Sequence, residues 1–170
     1  MSETIHLRHI ESGPELEDIR SLFLEYARSL DFELCFQSFD EELQGLPAEY
    51  AMPHGRLILC QMDGKPAGCI ALKRLAPQIC EMKRLYVRPE FRGKQLGLKL
   101  AAHIIEEARR AGYAKMRLDT IAGLMPHAIA LYRSLGFVEI GPYYHNPIPN
   151  ALYMELTLCP GLTASETTSS

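Results

Sequence analysis

The sequence predicts an α/β (α+β) fold in which strands and amphipathic helices share one core. Apolar runs of strand length recur along the chain, and two of them are joined by Asp63-Gly64, a dipeptide that favours a tight hairpin turn. Other segments carry apolar residues at helical spacing, as from Leu100 to Ala108. With 170 residues, 47% of them apolar, the chain can bury one core.

The N-terminal half is predicted to hold three strands and two helices. Ser12 and Glu15 form a capping-box pattern, and apolar residues from Leu16 to Leu30 then give a helix a core-facing side. Asp40 is a candidate cap for a short helix that ends at Leu46, before a proline. The strand segments are Thr4 to His9, Arg56 to Met62 and Lys65 to Arg74.

The C-terminal half is predicted to continue with strands on both sides of two helices. A helix opens at residues 92–97 and stops at Gly112, and a second runs from Pro126 to Leu135 before Gly136. The strand segments are Ile79 to Val87, Ala114 to Asp119, Phe137 to Ile140 and Leu152 to Leu158.

Composition argues against several classes of partner. The net charge of -3, from 18 basic and 21 acidic side chains in no long run, does not suit a nucleic-acid backbone. The chain has no apolar run of about 18 residues and no signal-like start, so we expect a cytoplasmic protein with no membrane partner. We expect one domain over residues 1–159 and a disordered tail over residues 160–170.

The cysteines and histidines lack the spacing of a metal site. The five cysteines are scattered without a C-x-x-C pair, and the six histidines show no H-E-x-x-H pattern. We therefore expect buried free thiols and no metal.

The segment Arg92-Gly93-Lys94-Gln95-Leu96-Gly97 is the strongest candidate for a binding site. A helix N-terminus leaves backbone N–H groups unpaired and concentrates about half a positive charge, which suits a phosphate or pyrophosphate. Gly93 and Gly97 remove side chains where a ligand must come close, while Arg92 and Lys94 add charge. Glycine-rich turns between strand and helix are also often only structural.

Two motifs in order give this segment a context. The run CEMKRLYVRPEFRGKQLG, its following helix and then ALYRSLGF resemble the GCN5-related N-acetyltransferase (GNAT) family over roughly residues 56 to 158. The resemblance implies a mixed, mostly antiparallel, twisted sheet of six or seven strands flanked by about four helices, splayed to admit the pantetheine arm of acetyl-CoA. It further implies an enzyme that uses acetyl-CoA as acyl donor; a different acyl donor stays open.

The family's pyrophosphate loop falls on residues 92–97 of this chain, with one departure. The family usually has glycine where Gln95 stands, and we expect a normally helical residue there, its side chain turned away. The strand before the loop corresponds to Leu85, Tyr86 and Val87, whose backbone would pair with the pantetheine amides and polarise the thioester carbonyl. Leu85 and Val87 are also readable as ordinary core residues.

The resemblance suggests Glu81 as the catalytic base. It stands four residues before Leu85, where one branch of the family carries a glutamate, and period-two alternation predicts Glu81, Lys83, Leu85 and Val87 on one face. A base and an acid can each contribute roughly 10²- to 10⁴-fold in rate. The alternative is a solvated or salt-bridged glutamate beside Lys83.

Tyr132 is the corresponding candidate for the acid. It lies in a match to the family's second motif, where a tyrosine hydroxyl is near the CoA sulfur; otherwise it is a packing residue. Many members have asparagine three positions before the residue equivalent to Ala128, where this chain has Met125, so one polar CoA contact is expected to be missing.

The acceptor is not named by the resemblance. In this fold the pocket lies near residues 34–39 and the loop 143–150, which makes Phe36, Tyr144 and Asn146 candidate substrate residues. We favour the primary amine of a small metabolite. A non-catalytic CoA-binding module stays open because of Gln95 and Met125, as does a homodimer; a Rossmann-type dinucleotide site does not fit R-G-K-Q-L-G.

Overall fold

Seven strands and four α-helices form the described part of the chain. The computed structural model describes residues 3–30, 39–121, 126–146 and 148–158. The strands are β1 (Ile5–His9), β2 (Arg56–Met62), β3 (Lys65–Ala76), β4 (Ile79–Val87), β5 (Lys115–Ile121), β6 (Val138–Ile140) and β7 (Ala151–Thr157). The helices are α1 (Glu15–Ser29), α2 (Phe39–Gly45), α3 (Leu96–Arg110) and α4 (Pro126–Ser134). Strands β2 and β4 have the predicted bounds.

The structure confirms the predicted hairpin turn but not the predicted capping box of α1. Asp63 and Gly64 have φ of +51° and +80°, the positive values that a tight hairpin turn needs. The predicted capping box at α1 is absent, since Pro14 is the N-cap residue and no described side chain caps the helix. Glu15 instead accepts a hydrogen bond from Arg8 at 2.8 Å.

The strands form one mixed sheet in the order β1-β2-β3-β4-β5-β7-β6. All neighbours are antiparallel except β4 and β5, which are parallel. A parallel pair needs a long crossover, and α3 supplies it between these two strands. The predicted α/β class with a mostly antiparallel sheet is confirmed.

The sheet is buried on both faces by different helices. Ile58 and Cys60 of β2 pack in a cluster with Leu100 and Ile104 of α3. The alternate residues of β2, among them Leu57, pack in a second cluster with α1. Each large aliphatic side chain that is buried this way contributes about 1.5–3 kcal/mol.

Three cysteines are free thiols in this core, as predicted. Cys60, Cys69 and Cys80 are buried, and burial raises the pKa of Cys60 to about 11 and that of Cys80 to about 12. Burial also raises the pKa of Cys69. These thiols are therefore protonated near neutral pH; Cys35 and Cys159 lie outside the described residues.

The described residues contain neither a membrane-spanning helix nor a metal-binding cluster. No helix in these ranges has the length and apolar character needed to cross a membrane. Within the same ranges, no three His, Cys, Asp or Glu side chains come together in a way that could hold a metal ion.

Candidate active site

Strands β4 and β5 pair over three residues and then separate. The last rung joins Glu81 to Arg117, whereas β4 continues to Val87 and β5 to Ile121. Strand β5 stays paired with β7 on its other edge along its whole length. A wedge, here called the split, therefore opens between residues 82–87 of β4 and 118–121 of β5. The resemblance implied such a splay.

The loop before α3 lies at the end of β4, as the sequence predicted. Helix α3 begins at Leu96, and no described side chain caps it. Its first backbone N–H groups therefore keep their hydrogen-bonding capacity. Gly93 has φ of +85°, and a Cβ added there would meet no atom within 4 Å, so the space beside it is open.

Gln95 corrects one expectation. It is not a normally helical residue, because its φ of +61° and ψ of +26° place it in the left-handed region. A non-glycine residue in that region costs roughly 1–2 kcal/mol. Gln95 thus adopts a backbone conformation that glycine reaches without this cost.

The two basic side chains of the loop are engaged within the protein. Arg92 donates from Nε to the Val87 carbonyl at 2.9 Å, and its guanidinium lies 5.8 Å from the centre of the Tyr86 ring. Lys94 forms an ion pair with Glu3. Both side chains belong to exposed residues, so the loop still presents positive charge to solvent.

Glu81 is buried where the split begins. The residue is 3% exposed, and Oε2 accepts a hydrogen bond of 2.5 Å from the Tyr143 hydroxyl. Its Oε1 lies 3.5 Å from Lys83 Nζ and 3.7 Å from Lys73 Nζ. Two lysine side chains and a phenol thus contact the carboxylate. The solvated alternative is wrong, and the salt-bridged one agrees with these contacts.

A bulge in β4 overturns the prediction that Glu81, Lys83, Leu85 and Val87 share one face. Cys69 and Ala71 of β3, two positions apart, pair with Tyr86 and Lys83, three positions apart. The extra residue changes the side on which later side chains lie, and Arg84 within it has φ of +62°. Leu85 and Val87 pack against the α3 cluster, whereas Glu81 and Lys83 line a cavity on the other side.

Arg84 holds α2 against this bulge. The buried guanidinium donates to both carboxylate oxygens of Glu42, at 2.9 and 3.1 Å, and lies 5.4 Å from the centre of the Phe39 ring. Tyr50 also donates to Glu42, at 2.9 Å. The Arg84 side chain is therefore committed to structure, although it lines the cavity.

Lys83 is nearly buried among charges of both signs. Its side chain is 9% exposed. Burial lowers its pKa, while the nearby carboxylates of Glu81 and Asp119 oppose that shift. Lys73 is the cross-strand partner of Glu81, and its side chain is 25% exposed.

Tyr132 lies on α4, packed into the α3 cluster and edge-to-face with Phe137 at 5.8 Å between ring centres. The residue is 8% exposed. Burial raises the pKa of its phenol, with smaller contributions from Tyr26 and Asp119. The hydroxyl therefore stays protonated near neutral pH and is able to donate a proton.

Two tyrosines of the segment after β6 donate hydrogen bonds to β4 and β5, the strands of the split. Tyr143 donates to Glu81 on β4, and Tyr144 donates to Asp119 on β5. Asn146 also donates to Asp119, at 3.1 Å. Burial raises the pKa of both Tyr143 and Tyr144, with Glu81 and Asp119 as their charged neighbours, so both phenols remain donors.

A cavity of about 590 Å³ lies beside Glu81, a size typical of small-molecule sites. Of the candidate substrate residues, Tyr144 lines this cavity, and Tyr144 and Asn146 line a neighbouring cavity of about 550 Å³. Phe36 lies outside the described residues. Lys73, Lys83 and Tyr143 also line the cavity beside Glu81 and were not candidate residues, although Tyr143 begins the predicted acceptor loop 143–150. The proline- and tyrosine-rich run around Tyr143 was the available signal for the last.

Known proteins match both the sequence and the fold. The sequence model of the Acetyltransferase (GNAT) family matches residues 16–137. An uncharacterized N-acetyltransferase of Schizosaccharomyces pombe is 42% identical over 156 residues, 91% of this chain and 95% of the relative. An acetyltransferase structure from Streptococcus agalactiae, 22% identical, has a TM-score of 0.75 and covers 91% of this chain and 98% of that one. The Salmonella typhimurium protein yncA, solved with its cofactor acetyl-CoA, is 21% identical with a TM-score of 0.68, covering 91% and 94%.

The fold and these matches define the class of protein, an acetyl-CoA-dependent N-acetyltransferase. The chain belongs to the GNAT family. It is therefore an enzyme, with acetyl-CoA as its acyl donor.

Proposed function

We propose that the enzyme transfers the acetyl group directly to the primary amine of a small metabolite, with Glu81 as base and Tyr132 as acid. The position of Glu81 carries the proposal. Glu81 is the last residue of β4 that pairs with β5, and it also lines the cavity of about 590 Å³. A group at this position is able to serve an amine in the cavity and a thioester in the split.

The loop and the split have the features that acetyl-CoA requires. Open space beside Gly93 and the uncapped N-terminus of α3 suit the pyrophosphate. Residues 85–87 lie beyond the last rung with β5, so their backbone is available to the pantetheine amides. When bound, acetyl-CoA supplies an activated acyl group on a good leaving group.

The proton transfers balance the reaction. Glu81 accepts, directly or through water, the proton that the amine loses as its nitrogen bonds to the acetyl carbon. Tyr132 donates a proton to the sulfur as the carbon–sulfur bond breaks. Its raised pKa keeps that proton in place until it is needed.

Direct transfer is favoured over a cysteine intermediate. The thiolate is the nucleophilic form of cysteine. Among the described cysteines, burial raises the pKa of each, so the thiolate fraction near neutral pH is very small. None of these three thiols lines the cavity beside Glu81.

Thiol release from acetyl-CoA tests the proposal. A panel of small primary amines, matched secondary amines and lysine-containing peptides is incubated with enzyme and acetyl-CoA, and the acceptor is weighed by mass spectrometry. We expect one acetyl group per thiol released on a small primary amine. Acetylation of peptides alone, or thiol release without an acetylated amine, would contradict the proposal.

A further inference from the structure

Two lysines flank Glu81 on the floor of the cavity beside it. Lys73 comes from β3, directly across from Glu81, and Lys83 comes from β4 two residues beyond it. Both Nζ atoms lie close to the same oxygen, Glu81 Oε1, at 3.7 and 3.5 Å. Both lysine side chains line the cavity.

Neighbouring carboxylates offset part of the charge of these two lysines, since Glu81 contacts both and Asp119 also acts on Lys83. Glu81 contributes one negative charge to the pair, and its other oxygen is taken by Tyr143. Lys73 also lies 3.5 Å from Glu49, but that side chain is 72% exposed, so the attraction is screened by solvent. A lysine ammonium has three N–H donors, so both lysines keep donors for a ligand beside their contact with Glu81.

The other charged groups that line the cavity are engaged elsewhere or lie at its rim. Arg84 is paired with Glu42 through both nitrogens of its fork, so neither side chain is free to recognise a ligand. Glu41 and Glu49 belong to exposed residues at the rim. Tyr50, Leu75 and Tyr144 supply the rest of the wall with aromatic and apolar surface.

We propose that the acceptor amine also carries a carboxylate, and that Lys73 and Lys83 bind it. This rests on the proposed function and narrows it to amino-acid-type acceptors. A carboxylate at the two ammonium groups would make charge-assisted hydrogen bonds in a partly desolvated site, where such bonds are strongest. A diamine would instead bring a second cation next to two lysine side chains.

Matched acceptors separate the carboxylate from the amine. Amino acids are compared with their own amides and with diamines of similar length, by thiol release at one pH. The amine of an amide is less basic than that of the acid, so a larger fraction is ready to attack. Preference for the acid therefore reports recognition of the carboxylate. We expect kcat/KM to be about 10- to 100-fold higher for the acid.

Substitution of the two lysines tests whether they cause the preference for the acid over the amide. Lys73→Met is expected to raise KM for the acid about 10-fold or more beyond any change for the amide, because loss of the contact with Glu81 affects both acceptors alike. Lys83→Gln, checked for folding by thermal unfolding, should do the same. Lys65→Met, an exposed lysine on the same strand as Lys73, is the matched control and should behave as the parent enzyme.

The outcomes distinguish a failure of the carboxylate proposal from a failure of the proposed function. Equal or better use of amides and diamines would overturn the carboxylate proposal and leave the proposed function standing. A preference for the acid that survives in both lysine variants would also overturn it. If no small amine of either kind is acetylated, the proposed function itself fails.

Discussion

The Glu81→Gln variant is expected to lose about 10²- to 10⁴-fold in kcat while keeping its affinity for acetyl-CoA. Glutamine has nearly the same shape and still accepts a hydrogen bond from Tyr143, but it cannot take a proton from the amine. Steady-state kinetics with a saturating acceptor, together with calorimetric titration of acetyl-CoA, measure both quantities.

The pH dependence separates a base from a structural carboxylate. An amine acceptor with a pKa above about 9 loses its proton without help as the pH rises. The deficit of Glu81→Gln should therefore shrink steadily between pH 7 and pH 9. A merely structural role, in which Glu81 holds Lys73 and Lys83, predicts a deficit that does not depend on pH.

A matched glutamate controls for the loss of charge beside Lys73. Glu49 also lies 3.5 Å from Lys73 Nζ, but on the exposed rim, and Glu49→Gln should keep kcat within about twofold. Unchanged turnover of Glu81→Gln at every pH would remove Glu81 from the mechanism.

The Tyr132→Phe variant is expected to lose about 10²-fold in kcat and to bind acetyl-CoA as the parent does. The substitution removes the hydroxyl and keeps the ring that packs on Phe137. Burial raises the pKa of Tyr132 above its ordinary value of 10.0, so the hydroxyl is protonated throughout pH 6 to 9. The loss should therefore be the same across that range.

Tyr113→Phe is the matched control for a buried tyrosine outside the site. The Tyr113 hydroxyl donates to the His54 carbonyl at 2.6 Å, and its removal should change stability without changing kcat. If Tyr132→Phe retains full activity, sulfur takes its proton from water or another group, and the assignment of Tyr132 is wrong.

Much of the fold was predictable because its signals are local. Hydrophobic periodicity gave β2 and β4 their bounds, and Asp63-Gly64 gave the hairpin its turn. The loop before α3 was recognisable from its glycines and basic residues together with the motif ALYRSLGF that follows its helix. Such features depend on a few neighbouring residues and need no knowledge of the distant chain.

The arrangement of the candidate site depends on irregularities that no local pattern shows. A bulge at Arg84 moved Glu81 and Lys83 to the face opposite Leu85. A second register shift, between Arg74 and Ala76, sets Lys73 across from Glu81; regular pairing from the turn would have put Arg74 there. Both lysines were therefore missed as site residues.

Contacts between distant segments were equally hidden. Tyr143 reaches Glu81 from 62 residues away, and Tyr144 reaches Asp119 from 25 residues away. Gln95 counted as a departure because the family usually has glycine there, and its left-handed backbone, with φ of +61°, was not foreseen. Its backbone removes one argument for a module that has lost acetyl-CoA binding.

Calorimetric titration with acetyl-CoA, of the parent protein and of Gly97→Trp, tests most directly the claim that the loop at residues 92–97 holds the donor. Gly97 has room for a small side chain, since an added Cβ would lie 3.8 Å from Leu131, but an indole would fill the approach to the first turn of α3. We predict micromolar binding to the parent and at least about 100-fold weaker binding to Gly97→Trp, with Arg92→Ala intermediate. Equal affinity in the parent and in a folded Gly97→Trp variant would contradict the account, because the donor would then bind elsewhere.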